Sequence, residues 1–271
     1  MQRDPTVPVD LSWPNAFWEE GWTKTPCLEV SESRATGVAL DAIVPRQRIS
    51  EILGELEAHW EESLPTTGVD AKHDAVFGSA FYALRVLDEL MGIGIGPSVL
   101  GRLGLRVIAE VRINLRYLLS EDTPDLWKRW RSYGAGQAKL GSLKFDEIEP
   151  PKHIDLESLE RIANEDLFEE FVTIDLASWS GSDLRKLSEK TGLKDLYDRH
   201  YLWTSGYAHG MWGPIRESCY ETCANPLHRL HRVPKRSPLR DLVDEAVTIV
   251  DDVLCDLDAA YPTFGHRLRQ K

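Results

Sequence analysis

From Ser98 to about Leu119 the chain is apolar on nearly every face of a helix, through Leu100, Leu103, Leu105, Val107, Ile108, Val111, Ile113, Leu115 and Leu118. Such a helix cannot rest on a surface, because much of its apolar area would face water. It has to be surrounded by other elements, which constrains the fold to a bundle about one central helix. Ser98 stands where an N-cap belongs. A single polar line crosses the apolar surface: Arg106, Glu110 and Asn114 recur every four residues. At about 100° per residue, Arg106 and Asn114 fall within roughly 40° of Glu110. Arg112 and Arg116 lie on the opposite side, facing solvent or acidic neighbours.

The flanking segments supply the surrounding helices. Ile49, Ile52, Leu53, Leu56 and Trp60 have helical spacing between Pro45 and Ser63, and Pro65 ends that helix. Val76, Phe77, Ala80, Ala83, Leu84, Leu87 and Leu90 predict another over about 70–91, broken by Gly92, Gly94, Gly96 and Pro97. Asp122-Thr-Pro-Asp125 starts a fourth, through Trp127, Trp130, Tyr133 and Ala138, and residues 141–155 read as a connector. Further helices are predicted over 156–171, 182–191 (closed by Gly192), 193–209 and 239–261. Residues 224–238 read as a loop, and no strand or internal repeat is visible. The fold class is all-α: a helical bundle, with residues 41–271 as one domain. Residues 1–40 hold Pro5, Pro8, Pro14 and Pro26, which forbid a continuous helix. Trp13, Trp18 and Trp22 predict that this irregular arm packs over the body, since disordered tails are poor in aromatics.

The net charge of −12 argues against broad electrostatic coating of nucleic acid, though not against a local basic site. No apolar run approaches the roughly 20 residues that span a bilayer, so no membrane association is expected. The N-terminal MQRDPTVPVD lacks the apolar stretch of an export signal. Cys27, Cys219, Cys223 and Cys255 therefore read as reduced thiols of a cytoplasmic protein.

Tyr197, Tyr201, Ser205 and His209 also recur at intervals of four, on the helix predicted over 193–209. If this stripe faces Arg106, Glu110 and Asn114, then Arg, Glu, Tyr, Ser and His share one pocket. His209 is the natural general acid or base near neutral pH, and Tyr201 or Ser205 could position a substrate phosphate. Arg106 and Glu110 could be an ion pair holding the bundle in register, whose disruption by Glu110→Ala would cost about 3–5 kcal/mol if buried. His209 could be a helix-end residue before Gly210, a natural C′ position.

Cys219, Cys223, His228 and His231 have the spacing C-x3-C-x4-H-x2-H. A zinc finger separates its pairs by about 12 residues, and Pro226 interrupts here, so no metal site is expected. His228 to Arg236 is a basic island, suited to positioning phosphates or to facing the protein's own acidic surface. There is no P-loop, dinucleotide fingerprint, G-x-S-x-G or H-E-x-x-H, and no cofactor is expected.

Several of these residues together resemble a bacterial family known as domain-of-unknown-function family 5677. The likeness covers about Phe77 to His209. It rests on Arg106-x3-Glu110-x3-Asn114, Tyr117-Leu118, the Trp130/Tyr133 helix, Trp179-Ser-Gly, Leu187, Gly192-Leu193, Leu196-Tyr197 and Tyr201-x3-Ser205-x3-His209-Gly210. The resemblance implies an all-helical domain related to the HEPN superfamily, whose usual role is RNA cleavage in bacterial defence and toxin systems. The HEPN ribonuclease motif is Arg, a polar residue, then His after a gap of four to six. Here nine residues separate Arg199 from His209.

The expected function is thus that of a HEPN-like, metal-independent ribonuclease effector. Arg106, Glu110 and His209 would be catalytic, and Asn114, Tyr201, Ser205 and Arg199 would bind substrate. His209 would move the proton, Arg106 would stabilise phosphate charge and Glu110 would orient one of them. The alternatives are a non-catalytic helical module, such as an antitoxin or effector subunit, and a sensor of a nucleotide phosphate. The corresponding partners are RNA or a phosphate-bearing ligand, a protein from the same operon, and a second copy of the chain.

Overall fold

The structure is a computed structural model of the chain. It describes residues 16–17, 19–20, 24–28, 44–65, 68–145, 148–165, 179–228, 231–234 and 237–269. Trp13, Trp18 and Trp22 of the expected arm lie outside the described residues, as do the last residues of the helix expected over 156–171 and parts of the basic island.

The fold is an all-α bundle. The helices are α1 (Arg46–Ser63), α2 (Ala71–Gly92), α3 (Val99–Glu121), α4 (Pro124–Phe145), α5 (Leu156–Glu165) and α6 (Leu184–Lys190). Then come α7 (residues 194–208, in three pieces described below), α8 (Trp212–Cys219) and α9 (Val243–Ala260). As the apolar pattern requires, α3 is central: α2 and α9 pack on one side, α6 and α7 on the other. Ile108, Ala109, Ile113, Leu115 and Leu118 are wholly buried in a core they share with Leu84 and Leu87 of α2 and Val250, Val253 and Leu254 of α9. Burial of a side chain this size stabilises by about 1.5–3 kcal/mol. The enclosure is incomplete at the ends, where Leu100 is exposed, and along the polar stripe.

Local signals read in the sequence take the expected form. The Ser98 Oγ accepts a hydrogen bond from the Gly101 amide at 3.2 Å, capping α3. The next turn depends on Gly101 itself: a Cβ there would stand 2.3 Å from the Gly96 carbonyl oxygen, so the missing side chain lets α3 start against the 95–96 backbone. On the side away from the stripe, Arg112 pairs with Asp252 at 2.7 Å and Arg116 with Asp256 at 2.8 Å, joining α3 to α9. Asp256 is buried, and desolvation raises its pKa against the pull of Arg116 and Arg112.

Three differences from the sequence reading stand out. First, α4 runs to Phe145, taking in residues assigned to the connector. Second, α8 forms over residues to which the sequence reading assigns no element, although Gly213 and Pro214 sit in its first turn, where a proline costs no intrahelical hydrogen bond. Third, the region holds a small antiparallel hairpin, β1 (Tyr220–Thr222) and β2 (Arg232–Pro234), with Tyr220 opposite Pro234 and Thr222 opposite Arg232. Strands of three residues are too short to show an alternating pattern.

Candidate functional site

The site begins with a change of helical winding. α7 opens as Lys194–Leu196, widens into a π turn over Tyr197–Tyr201, where the Leu202 amide reaches the Tyr197 carbonyl, and continues as Leu202–Ala208. Such turns occur often at functional sites. The Tyr197 and Tyr201 rings stack with centroids 5.1 Å apart. Lys194 Nζ lies 5.4 Å from the Tyr197 centroid, and the Arg106 guanidinium 4.8 Å from that of Tyr201. These are cation–π distances.

Arg106 joins the two helices. Its Nη2 donates to the Tyr201 hydroxyl at 2.9 Å, and Nη1 lies 3.3 Å from Glu110 Oε2, while Nε is buried without a protein partner among the described residues. The pair sits at the rim: side-chain exposure is 22% for Arg106 and 37% for Glu110. Burial, and next the nearby Glu110 carboxylate, push the Tyr201 hydroxyl above its ordinary pKa, with Arg106 opposing. Tyr201 is therefore neutral near pH 7, a hydrogen-bonding group and not a base.

Beside this seam opens a cleft of about 700 Å³. The far end of the stripe, Glu110 and Asn114, forms one wall; Tyr133 of α4 and Trp179 form another; residues 180–183 with Lys186 of α6 form the third. Trp179 is set edge-on against Tyr117 at 5.9 Å, and Lys190 Nζ sits 5.4 Å from the Tyr117 centroid. Asp183 caps α6 by accepting from the Lys186 amide at 2.9 Å, and that bond chiefly lowers its pKa. The cleft thus offers aromatic walls, two carboxylates, one amide and one ammonium.

The structure brings together Arg106, Glu110, Tyr201 and, further along the wall, Asn114. It does not bring His209 to them. Arg106 meets Tyr201, and Arg102 interacts with the Tyr207 hydroxyl, so α3 and α7 run antiparallel. Glu110 lies towards one end of this contact and His209 beyond the other, so along α3 the two are separated by at least about 12 Å at 1.5 Å per residue. His209 is exposed and ends α7, with Gly210 at φ +57° behind it. Ser205 is half-buried one turn before the helix end. Arg199 is exposed and paired with Asp195 at 3.4 Å.

Tyr133, Trp179, Asp183 and Lys186 line the cleft without having been singled out as site residues from the sequence. The Trp179-Ser-Gly turn, ending in Asp183 as a helix cap, is the one local signal that could have pointed to them. A different polar group occupies the other end of α7. Glu217 of α8 accepts from the Tyr207 hydroxyl at 2.7 Å and from Trp203 Nε1 at 3.0 Å. Leu202, Trp203, Met211 and Trp212 are each more than half exposed there.

Residues 101–221 match the family model described as a family of unknown function, DUF5677. The matched stretch begins on α3, takes in the cleft and all of α7, and ends on β1. It supports the family resemblance read from the sequence over a span shifted towards the C-terminus, leaving α1, α2 and α9 outside. No curated protein and no solved structure matches the chain. Among the described residues, no helix is long and apolar enough to cross a membrane.

Proposed function

We propose that the cleft between α3, α4 and α6 binds a nucleotide unit, either within single-stranded RNA or as a free phosphate-bearing ligand, in a helical effector of the HEPN type. The observation that carries this reading is the composition of the walls. Tyr133 and the small exposed part of Trp179 supply aromatic surface for a base. Glu110, Asn114 and Asp183 supply acceptors and an amide for a base edge, and Lys186, an exposed ammonium 3.6 Å from Asp183, a cation that can turn to a phosphate. Arg106 is engaged by Glu110 and Tyr201, so its role is to hold the Glu110 wall in place.

RNA cleavage, the activity implied by the HEPN resemblance, requires a proton-transfer group at the scissile phosphate. The antiparallel register keeps His209 away from Glu110, so binding and not cutting is proposed for the cleft. The test is calorimetric titration of the full chain with nucleoside monophosphates and short single-stranded RNAs, with the same RNAs recovered and sized. Saturable binding, weakened at least tenfold by Asn114→Ala and by Lys186→Ala and leaving RNA intact, is the expected outcome. No binding to any of these ligands, or binding indifferent to both substitutions, would remove the proposal. RNA cleavage lost in His209→Ala would restore the catalytic reading.

A further inference from the structure

Four side chains from opposite ends of the chain meet beside the β1–β2 hairpin. The sulfurs of Cys27 and Cys223 and one ring nitrogen each of His228 and His231 all lie within 4.8 Å of one another. Cys27 Sγ is 3.3 Å from His231 Nε2, and Cys223 Sγ is 3.3 Å from His228 Nδ1. In a tetrahedral zinc site, bonds of about 2.3 Å to sulfur and about 2.0–2.1 Å to nitrogen place neighbouring sulfur and nitrogen donors about 3.5 Å apart. The spacing needs only small side-chain adjustments to become a coordination shell.

The backbone arranges these donors in advance. The Cys223 amide donates to the His231 carbonyl at 2.9 Å, closing the loop just beyond the hairpin, and the His231 amide donates to the His228 carbonyl at 3.0 Å. The Cys27 segment is docked on the same loop: the Ala224 amide donates to the Leu28 carbonyl at 2.9 Å, and Asn225 Nδ2 to the Pro26 carbonyl at 2.8 Å. His228 Nε2 lies 2.9 Å from the Thr25 carbonyl oxygen. A carbonyl can only accept, so Nε2 carries the proton and Nδ1 turns its lone pair towards Cys223. A ligating histidine whose other nitrogen is held by a carbonyl is the usual outer-shell arrangement of metal sites.

We infer that Cys27, Cys223, His228 and His231 form a structural zinc site that fastens residues 24–28 to the hairpin loop. Two thiolates and two neutral imidazoles balance the charge of Zn²⁺, and four protein ligands leave no open position for catalysis. Binding releases the thiol protons to solvent. Cys223 and His228 are buried, and Cys27 closes the site from the exposed side. Cys219, which the linear spacing pairs with Cys223, is exposed at the end of α8 and is not a member of the cluster. The C-x3-C spacing in the sequence is therefore misleading, and the second cysteine of the set comes from the N-terminal segment.

The experiment is elemental analysis of the full chain, purified under reducing conditions without chelator, followed by exchange of the metal for Co²⁺. One zinc per chain is expected, together with the visible absorption and sulfur-to-metal charge transfer of a tetrahedral two-thiolate cobalt site. Cys27→Ser should lose the metal and with it the charge-transfer band, and Cys219→Ser should lose neither. Cys27 is exposed, so its replacement keeps the test valid even if Cys223→Ser does not fold. The inference is overturned by wild-type protein that holds no zinc and gives no tetrahedral cobalt spectrum. It is equally overturned by a Cys27–Cys223 disulfide in the intact mass of protein kept reduced, or by equal metal loss from Cys219→Ser.

Discussion

Replacing Glu110 by alanine separates the structural role of the stripe from its role in the cleft. A buried Arg–Glu pair would lose about 3–5 kcal/mol on removal of one partner, because the other charge is stranded. The observed pair is of another kind. Glu110 and Arg106 are 37% and 22% exposed, 3.3 Å apart and four residues apart on one helix. A pair of that sort contributes about 0.3–0.5 kcal/mol, and alanine returns a few tenths through its higher helix propensity. Arg106 also keeps the Tyr201 hydroxyl and ring as partners. The net change is within about 0.5 kcal/mol. At about 2 °C per kcal/mol for a chain of this length, the melting temperature should move by about 1 °C or less. Ligand binding should respond differently. A hydrogen bond to a charged group is worth about 1.5–3 kcal/mol, so affinity for a nucleotide in the cleft should fall by roughly 10- to 100-fold. Thermal unfolding and calorimetric titration of the same samples give both numbers. A fall of more than about 5 °C would refute the rim placement of the pair. Unchanged affinity would refute the assignment of Glu110 to the ligand wall.

Two further outcomes follow from packing and titration. Gly101→Ala gains helix propensity of about 1 kcal/mol but puts a methyl group 2.3 Å from the Gly96 carbonyl; overpacking of this kind costs about 1–3 kcal/mol, so urea unfolding should show net destabilisation, and a stabilised variant would mean that α3 does not start against that backbone. His200 has its pKa lowered, first by burial and then by Arg199, with Glu245 opposing; the unfolded chain then binds the proton more readily, so stability should fall as pH drops through about 6.5, and His200→Gln should flatten that slope. An unchanged slope in urea midpoints taken at pH 7.5 and 5.5 would show that His200 is not the responsible group.

The central helix was legible because its signal is local and dense: an all-round apolar surface with a serine at its start has few other solutions. The meeting of Arg106 and Glu110 with Tyr201 was legible for the same reason, polar groups on two apolar helices being drawn to one another. The extension of that stripe to His209 was not sound. Four residues of α-helix overshoot a full turn by about 40°, so a position eight residues on has rotated by about 80°. By His209 the stripe has therefore drifted to the exposed side, while Thr204 and Tyr207 are buried. The antiparallel run of α7 against α3 is a further unknown that spacing alone cannot supply. Trp179, Asp183 and Lys186 belong to a cleft assembled from three segments, and Cys27 meets His231 across a separation of 204 residues. Contacts of that range leave no periodic trace.

The wide turn at Tyr197–Tyr201 decides where this helix can absorb a change in length. A π turn holds one residue more than an α turn over the same span. Deleting one residue inside it would let the helix close to ordinary geometry with Lys194 and Tyr207 still facing their present neighbours. The same deletion within Leu202–Ala208 would swing everything beyond it through about 100°, carrying Tyr207 away from Glu217 and Arg102. Relatives whose helix is shorter by one residue should have lost it at the tyrosine pair, and with it the stacked rings beneath Arg106. In this helix a one-residue deletion cannot be silent: the place that tolerates it is the place where Arg106 meets the tyrosine pair.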